Sequence, residues 1–180
     1  KKNIILILIL CSVKGLTAQN VGIGTTSPAF KLDVKNGSIN TDSAYRIGGS
    51  TVLSVKGTEN TFVGVGAGTV NTSGSYNTAL GRVSGYNNTT GKNNVFVGNA
   101  AGYHGSIVSD IVAVGDSALF NNGLGVSNTS QAIGNTAIGK KSLFSNVSAN
   151  FNTACGSTTL SNNMSGWFNS AFGYEAIKSN

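Results

Sequence analysis

Charge is scarce in this sequence. It carries 12 basic and six acidic side chains, 10% of its 180 residues, where a soluble domain ordinarily has about 25% charged residues. The acids Asp33, Asp42, Glu59, Asp110, Asp116 and Glu175 are spread singly, which argues against glycoside cleavage, a chemistry that needs two carboxylates about 5–9.5 Å apart. Asp110 and Asp116 fall on opposite sides of one strand phrase and read as corner and cap residues. Histidine occurs once, at His104. Without a second His or a Cys beside it, it supports neither a metal centre nor a nucleophile–base pair. Two cysteines, Cys11 and Cys155, exclude a disulfide framework once Cys11 is removed with the leader, and Cys155, where other repeats carry Val, Leu or Ile, reads as a buried small hydrophobe. There is a single proline, and no amphipathic helical stretch follows the N-terminus. A calcium-binding roll would place Asp in each turn; here the turns carry Asn, a neutral ligand and a good corner residue, which reads more simply as stacked asparagine ladders. Glycine-rich phrases such as Gly64-Val-Gly66-Ala-Gly68 lack the Gly-Lys-Ser/Thr ending of a phosphate loop. These absences leave no catalytic residue, no cofactor-binding residue and no metal ligand, and the chain is read as not an enzyme.

The only long apolar run lies at the start. Lys1-Lys2-Asn3 forms a basic head, and Ile4–Leu10 continues through Val13 as an apolar stretch too short to span a bilayer core of about 30 Å. Residues 1–18 therefore read as a signal peptide ending at Leu16-Thr17-Ala18. The alternative makes Cys11 a lipoprotein cysteine, against which stands Leu10 where a small side chain is required. Lys1, Lys2 and Lys14 leave with the leader, so the formal charge falls from +6 to +3. The remaining basic residues are scattered, only Lys140-Lys141 being adjacent, and form no stripe for nucleic acid. The reading is an exported, secreted or cell-surface chain with no membrane insertion of the mature part.

Asparagine, glycine, serine and threonine are abundant, with 25 glycines alone, and from Asn60 to Asn180 they follow a period. Asn60-Thr-Phe-Val-Gly64 recurs as Asn77–Gly81, Asn94–Gly98, Ile111–Gly115, Asn135–Gly139, Asn152–Gly156 and Asn169–Gly173. The starts are 17, 17, 17, 24, 17 and 17 residues apart. Four residues after each Gly stand Gly68, Gly85, Gly102, Leu119, Leu143, Leu160 and Ile177. Seven residues after it stand Asn71, Asn88, Gly105, Asn122, Asn146, Asn163 and Asn180. A fixed period with one insertion is the signature of a solenoid, and the apolar residues keep register with it, which a disordered low-complexity tract has no reason to do. The expected coil is a short strand, a Gly corner, a second short strand, an Asn corner and a polar return loop, with Gly and Asn supplying positive φ at the corners.

Alternation along the strand puts Val63, Leu80, Val97, Val114, Ile138, Cys155 and Phe172 on one face. Phe62, Ala79, Phe96, Ala113, Ala137, Ala154 and Ala171 share the other, whose small alanines suit close approach by a neighbouring chain. Ordering 17 residues costs on the order of 17–34 kcal/mol. Burying three apolar side chains returns roughly 5–9 kcal/mol, so coil stacking and lateral association are both expected. The tyrosines and phenylalanines of the second half, with Trp167, read as packing between coils, any exposed one being able to stack on a sugar or anchor a protein. The Gly123–Gly134 insertion is the place where a specific contact is expected.

Residues 19–59 read as a β-rich connector. Phe30, Leu32 and Val34 alternate with polar neighbours as a half-buried strand, and Asn36-Gly37 is a two-residue hairpin signal. Val21-Gly-Ile-Gly-Thr-Thr-Ser-Pro28 with Lys31-Leu-Asp-Val34 resembles the opening of secreted tail-fibre-like proteins of Bacteroidetes-type bacteria. The array of Asn-Thr-Ala-Ile-Gly phrases is similar to the head repeats of trimeric autotransporter adhesins. The resemblance implies an all-β, left-handed parallel β-roll with 17-residue coils, a homotrimer that stands on a fibre and attaches to a glycan or protein on a host or other surface. It also implies more chain beyond Asn180. The competing readings are a β-helical tailspike-like glycan depolymerase and a structural spacer with no ligand.

Overall fold

The computed structural model describes residues 21–23, 26–27, 29–34 and 44–178; the leader, the Asn36-Gly37 turn and Asn180 lie outside the described residues. Two compact units divide the chain, Lys1–Asn40 and Thr41–Asn180. In the first, β1 (Val21–Ile23) and β2 (Leu32–Val34) pair in parallel, Val21 opposite Leu32. The strand expected around Leu32 is present, but Phe30 and Leu32 are exposed rather than half-buried.

The second unit begins with a hairpin, β3 (Ala44–Ile47) and β4 (Ser50–Ser54). Its loop is Gly48-Gly49, with φ of +54° and +79°, the two positive values that a tight primed turn needs to match the strands' twist. Although the sequence places this hairpin in the connector, β4 pairs antiparallel with β5 (Thr61–Val63) and so joins the array's own sheet. From β5 the sheet runs in parallel through β6 (Thr78–Leu80), β7 (Val95–Val97), β8 (Val112–Val114), β9 (Thr136–Ile138), β10 (Thr153–Cys155) and β11 (Ser170–Phe172). Each strand pairs with the one a coil later in unbroken register, as Thr61 with Thr78 and Ala79 with Phe96. This is a parallel β-solenoid of seven coils, coil 1 carrying β5 and coil 7 carrying β11. No helix occurs among the described residues.

The expected second strand is absent. After each strand the backbone alternates in the sign of φ instead, with positive values at the corner Gly and at the second and fourth residues after it. Gly64, Gly66 and Gly68 have +128°, +79° and +55°; Gly115, Ser117 and Leu119 have +132°, +56° and +50°. The segment still bonds to both neighbours, Val83 N–H donating to the Val65 carbonyl at 2.9 Å and Gly85 N–H to that of Ala101 at 2.9 Å. Left-handed backbone costs an L-residue about 1–2 kcal/mol. Leu119, Leu143 and Leu160 adopt it while wholly buried, so packing outweighs the strain there. At the corner only Gly fits, because a Cβ on Gly81 would lie 2.5 Å from the Gly98 carbonyl oxygen of the next coil. The asparagines expected to supply positive φ do not: Asn71, Asn88, Asn122, Asn146 and Asn163 are absent from the left-handed residues, and their side chains explain their presence.

The sheet faces are the reverse of the expectation. Phe62, Ala79, Phe96, Ala113, Ala137, Ala154 and Ala171 point into the coil and are at most 4% exposed, so the small residues line the interior. Their size is matched by the residue four after the corner. Where a phenylalanine enters, that residue is glycine: a Cβ on Gly68 would meet the Phe62 ring at 2.5 Å, and Cβ atoms on Gly85 and Gly102 would both collide with Phe96. Where the strand carries alanine from coil 4 onward, Leu119, Leu143 and Leu160 fill the same interior.

Much of the remaining interior is amide, with Val108 and Ile111 as buried apolar exceptions. Asn77 Nδ2 donates to the Gly91 carbonyl at 2.9 Å and to Asn60 Oδ1 at 3.1 Å, and Asn77 Oδ1 accepts the Asn94 N–H at 3.0 Å. The arrangement recurs at Asn135 and Asn152, where Asn135 Oδ1 accepts the Asn152 N–H at 2.9 Å. A second column runs through Asn71, Asn88, Asn122 and Asn146, and Asn122 Oδ1 accepts from Asn146 Nδ2 at 2.5 Å. Buried amides need such partners, since each orphan costs about 1–3 kcal/mol.

Candidate functional site

With the strand centres turned inward, the residues on either side of them turn out. Val63, Leu80, Val97, Val114, Ile138, Cys155 and Phe172 form one row across seven adjacent strands, all half-buried or exposed, with Leu80 48%, Ile138 43% and Phe172 70% exposed. Cys155, read from sequence as a buried small hydrophobe, belongs to this outward row as a half-buried free thiol. Beside it runs the row Thr61, Thr78, Val95, Val112, Thr136, Thr153 and Ser170. In the first row Leu80, Ile138 and Phe172 are the exposed members, with Val63, Val97, Val114 and Cys155 half-buried between them.

A second column comes from the residue five after the corner. The rings of Tyr86, Tyr103, Phe120 and Phe144 stack at centroid distances of 5.3, 5.1 and 5.2 Å and lie within 8° of parallel. The rings cover one another's faces and present their edges outward, which makes the column an inter-coil packing device before it is a sugar platform. His104 sits against it, edge-on to Tyr103 at 4.8 Å and Phe120 at 5.1 Å, its Nδ1 3.5 Å from Asn87 Nδ2. Partial burial there lowers its pKa below the ordinary histidine value. Phe151 and Phe168 stack at 5.4 Å in a separate, more exposed pair with Trp167 edge-on to Phe168.

The acids weighed from sequence are held apart by the register of the coils. Asp110 accepts from Asn93 Nδ2 at 3.0 Å and Asp116 from Asn99 Nδ2 at 2.9 Å, each paired to an amide one coil earlier. Among the described residues no group of three His, Cys, Asp or Glu side chains is placed to share a metal ion. The insertion maps to an exposed loop, Leu124–Ser130, in which Val126 alone tucks toward the core. Asn122 Nδ2 bonds the Ala132 carbonyl across its base at 2.8 Å.

One concavity was not foreseen. The edge of coil 1 and the β3–β4 hairpin enclose an open cleft of about 620 Å³, with Arg46 and Lys56 among its lining residues. Its signal in the sequence was weak, because Arg46 and the Gly66–Thr69 stretch approach only through the pairing of β4 with β5. No protein-family model, no curated protein and no solved structure matches this chain.

Proposed function

We propose that this chain is an exported surface adhesin or tail-fibre-like protein whose coils form a trimeric, left-handed β-roll for attachment. The outward row from Val63 to Phe172 carries the proposal. One chain alone leaves these side chains in water across every coil, while three chains meeting along the row would bury them around a shared axis. Such an interface has an apolar core and is rimmed by the neighbouring threonines, as obligate interfaces are. Attachment follows from repetition, since many coils on three chains present the same weak contact many times and avidity multiplies it.

The test is the mass of the chain in solution by light scattering or native mass spectrometry. Three times the 18.3 kDa chain is expected for the parent, and one chain for Leu80→Lys/Ile138→Lys, which places two charges on the row without touching the coil interior. A folded monomeric parent would remove the proposal. A trimer that binds nothing on glycan and protein arrays would leave the spacer role in place of adhesion.

A further inference from the structure

The cleft at the start of the solenoid is where the coil-to-coil bonding runs out. In coils 2 to 7 the second residue after the corner Gly donates its N–H to the preceding coil, as Val83 does to Val65 and Ala100 to Arg82, both at 2.9 Å. Coil 1 has no preceding coil. Its hairpin covers only the strand side, through β4–β5 pairing and the Gly64 N–H to Val52 carbonyl bond of 2.9 Å. The Gly66 N–H and the Ala67 carbonyl therefore stand at the cleft without a protein partner. The next outward carbonyl, Thr69, is taken by Lys56 Nζ at 2.8 Å, which fixes the ammonium at the cleft with donors to spare. Arg46 enters from β3 and makes no ion pair. Among the described residues, Arg46 and Lys56 are the only ionisable ones in the lining, and both are cationic.

From this geometry we infer that the cleft binds an acidic saccharide, a sugar bearing a carboxylate. The inference names the ligand class of the attachment reading and rests on it for a biological source of ligand. Arg46 and Lys56 match the carboxylate. The Gly66 N–H and Ala67 carbonyl match sugar hydroxyls, which both accept and donate, whereas a bare inorganic anion would leave the carbonyl unmet. The volume lies within the range of small-molecule sites and is far larger than one phosphate needs. An added peptide strand is disfavoured because the alternating φ of Gly64, Gly66 and Gly68 cannot continue an extended ladder.

Calorimetric titration of the full chain with digalacturonate and with 3′-sialyllactose tests this, with lactose, sodium phosphate and a tetraglutamate peptide as controls. An acidic saccharide is expected to bind, lactose not to bind, and Arg46→Gln or Lys56→Gln to weaken binding about tenfold each. Arg46→Lys should retain most of it. Both positions are exposed, and unchanged thermal melts would establish that the variants fold. No saccharide binding, binding indifferent to both substitutions, or equal affinity for phosphate or the peptide would overturn the inference. A trimer that binds only neutral glycans, unaffected by Arg46→Gln and Lys56→Gln, would retain the attachment reading and remove this site.

Discussion

Phe96 and the two glycines around it should show a reversal of sign. Truncating the buried ring in Phe96→Ala is expected to cost about 3–5 kcal/mol. Adding Gly85→Leu/Gly102→Leu to the parent puts a Cβ 2.6 Å from the ring at Gly85 and closer still at Gly102. It also forces two leucines to φ of +54° and +59°, at about 1–2 kcal/mol each. With overpacking of about 1–3 kcal/mol, the pair should destabilise the parent by at least about 3 kcal/mol. In the Phe96→Ala background the same leucines enter vacated space and bury, each returning about 1.5–3 kcal/mol. There they should be neutral to stabilising by about 1–2 kcal/mol after the same strain, because they reproduce the Ala113–Leu119 pairing of coil 4. Urea unfolding followed by circular dichroism on the four proteins gives the coupling energy directly. If the leucines lower stability equally in both backgrounds, volume exchange between strand centre and corner is not what selects these residues.

Asn77→Ala removes the donor to Gly91 and the acceptor for Asn94; two buried orphans at about 1–3 kcal/mol each should lower the unfolding midpoint well beyond an exposed control such as Ser127→Ala. Gly105→Asn alone should destabilise, its Cβ lying 2.6 Å from Val108 Cγ2. Gly105→Asn/Val108→Gly/Ile111→Asn should recover stability above that single change in the same denaturant titration, because it rebuilds the bonding of coils 1 and 2. The lowered His104 pKa means that the unfolded chain takes up a proton first on acidification. Stability should therefore fall as pH drops from the ordinary histidine value of about 6.5 toward the folded pKa, and be level below it. His104→Phe should flatten that window in melts, and NMR titration should find His104 below the ordinary value.

The period was legible because one coil imposes one register on every neighbour: each corner Gly of the array was placed correctly by a five-residue phrase. What alternation could not tell was which strand face turned inward, since both Val63–Phe172 and Phe62–Ala171 are apolar. The deciding clue lay outside the strand. Gly68, Gly85 and Gly102 stand beside Phe62 and Phe96, whereas Leu119, Leu143 and Leu160 stand beside alanines, a volume exchange that makes sense only if both positions share one interior. The second strand was misread because Leu119 and Val83 are poor candidates for positive φ; bonds to neighbouring coils and, for Leu119, complete burial hold them there. Asparagine was read both as a source of positive φ and as a stacked ladder, and only the ladder is what the coil uses. The cleft was not legible, because Arg46 and Gly66 come to line one cleft through a strand pairing that no local phrase encodes.

The amide columns have a direction, and it divides the array. Asn77, Asn88, Asn135, Asn146, Asn152 and Asn169 turn Nδ2 toward an asparagine Oδ1 of the coil before, whereas Asn94 and Asn163 donate to the carbonyls of Val108 and Gly166, and Asn146 Oδ1 is left without a donor. In coils 3 and 4 the three polar positions Asn88, Gly91 and Asn94 become Gly105, Val108 and Ile111 together, an apolar plug in which Val108 and Ile111 are wholly buried. Asn88 is thereby left with a buried Oδ1 that nothing donates to. The column restarts at Asn122, whose Oδ1 takes both Asn135 Nδ2 at 3.2 Å and Asn146 Nδ2 at 2.5 Å. The inserted loop lies in that same coil. A solenoid is stabilised coil upon coil rather than by one central core, so a break in its most demanding bonds is tolerable only where something else holds the neighbours. Here Val108, Ile111 and Leu119 supply that hold by apolar packing, and the unbroken strand ladder carries the register across. The three positions change together across coils 3 and 4, and the insertion follows one return path later, in coil 4, where Asn122 and Asn135 have already restored the amides on either side of it.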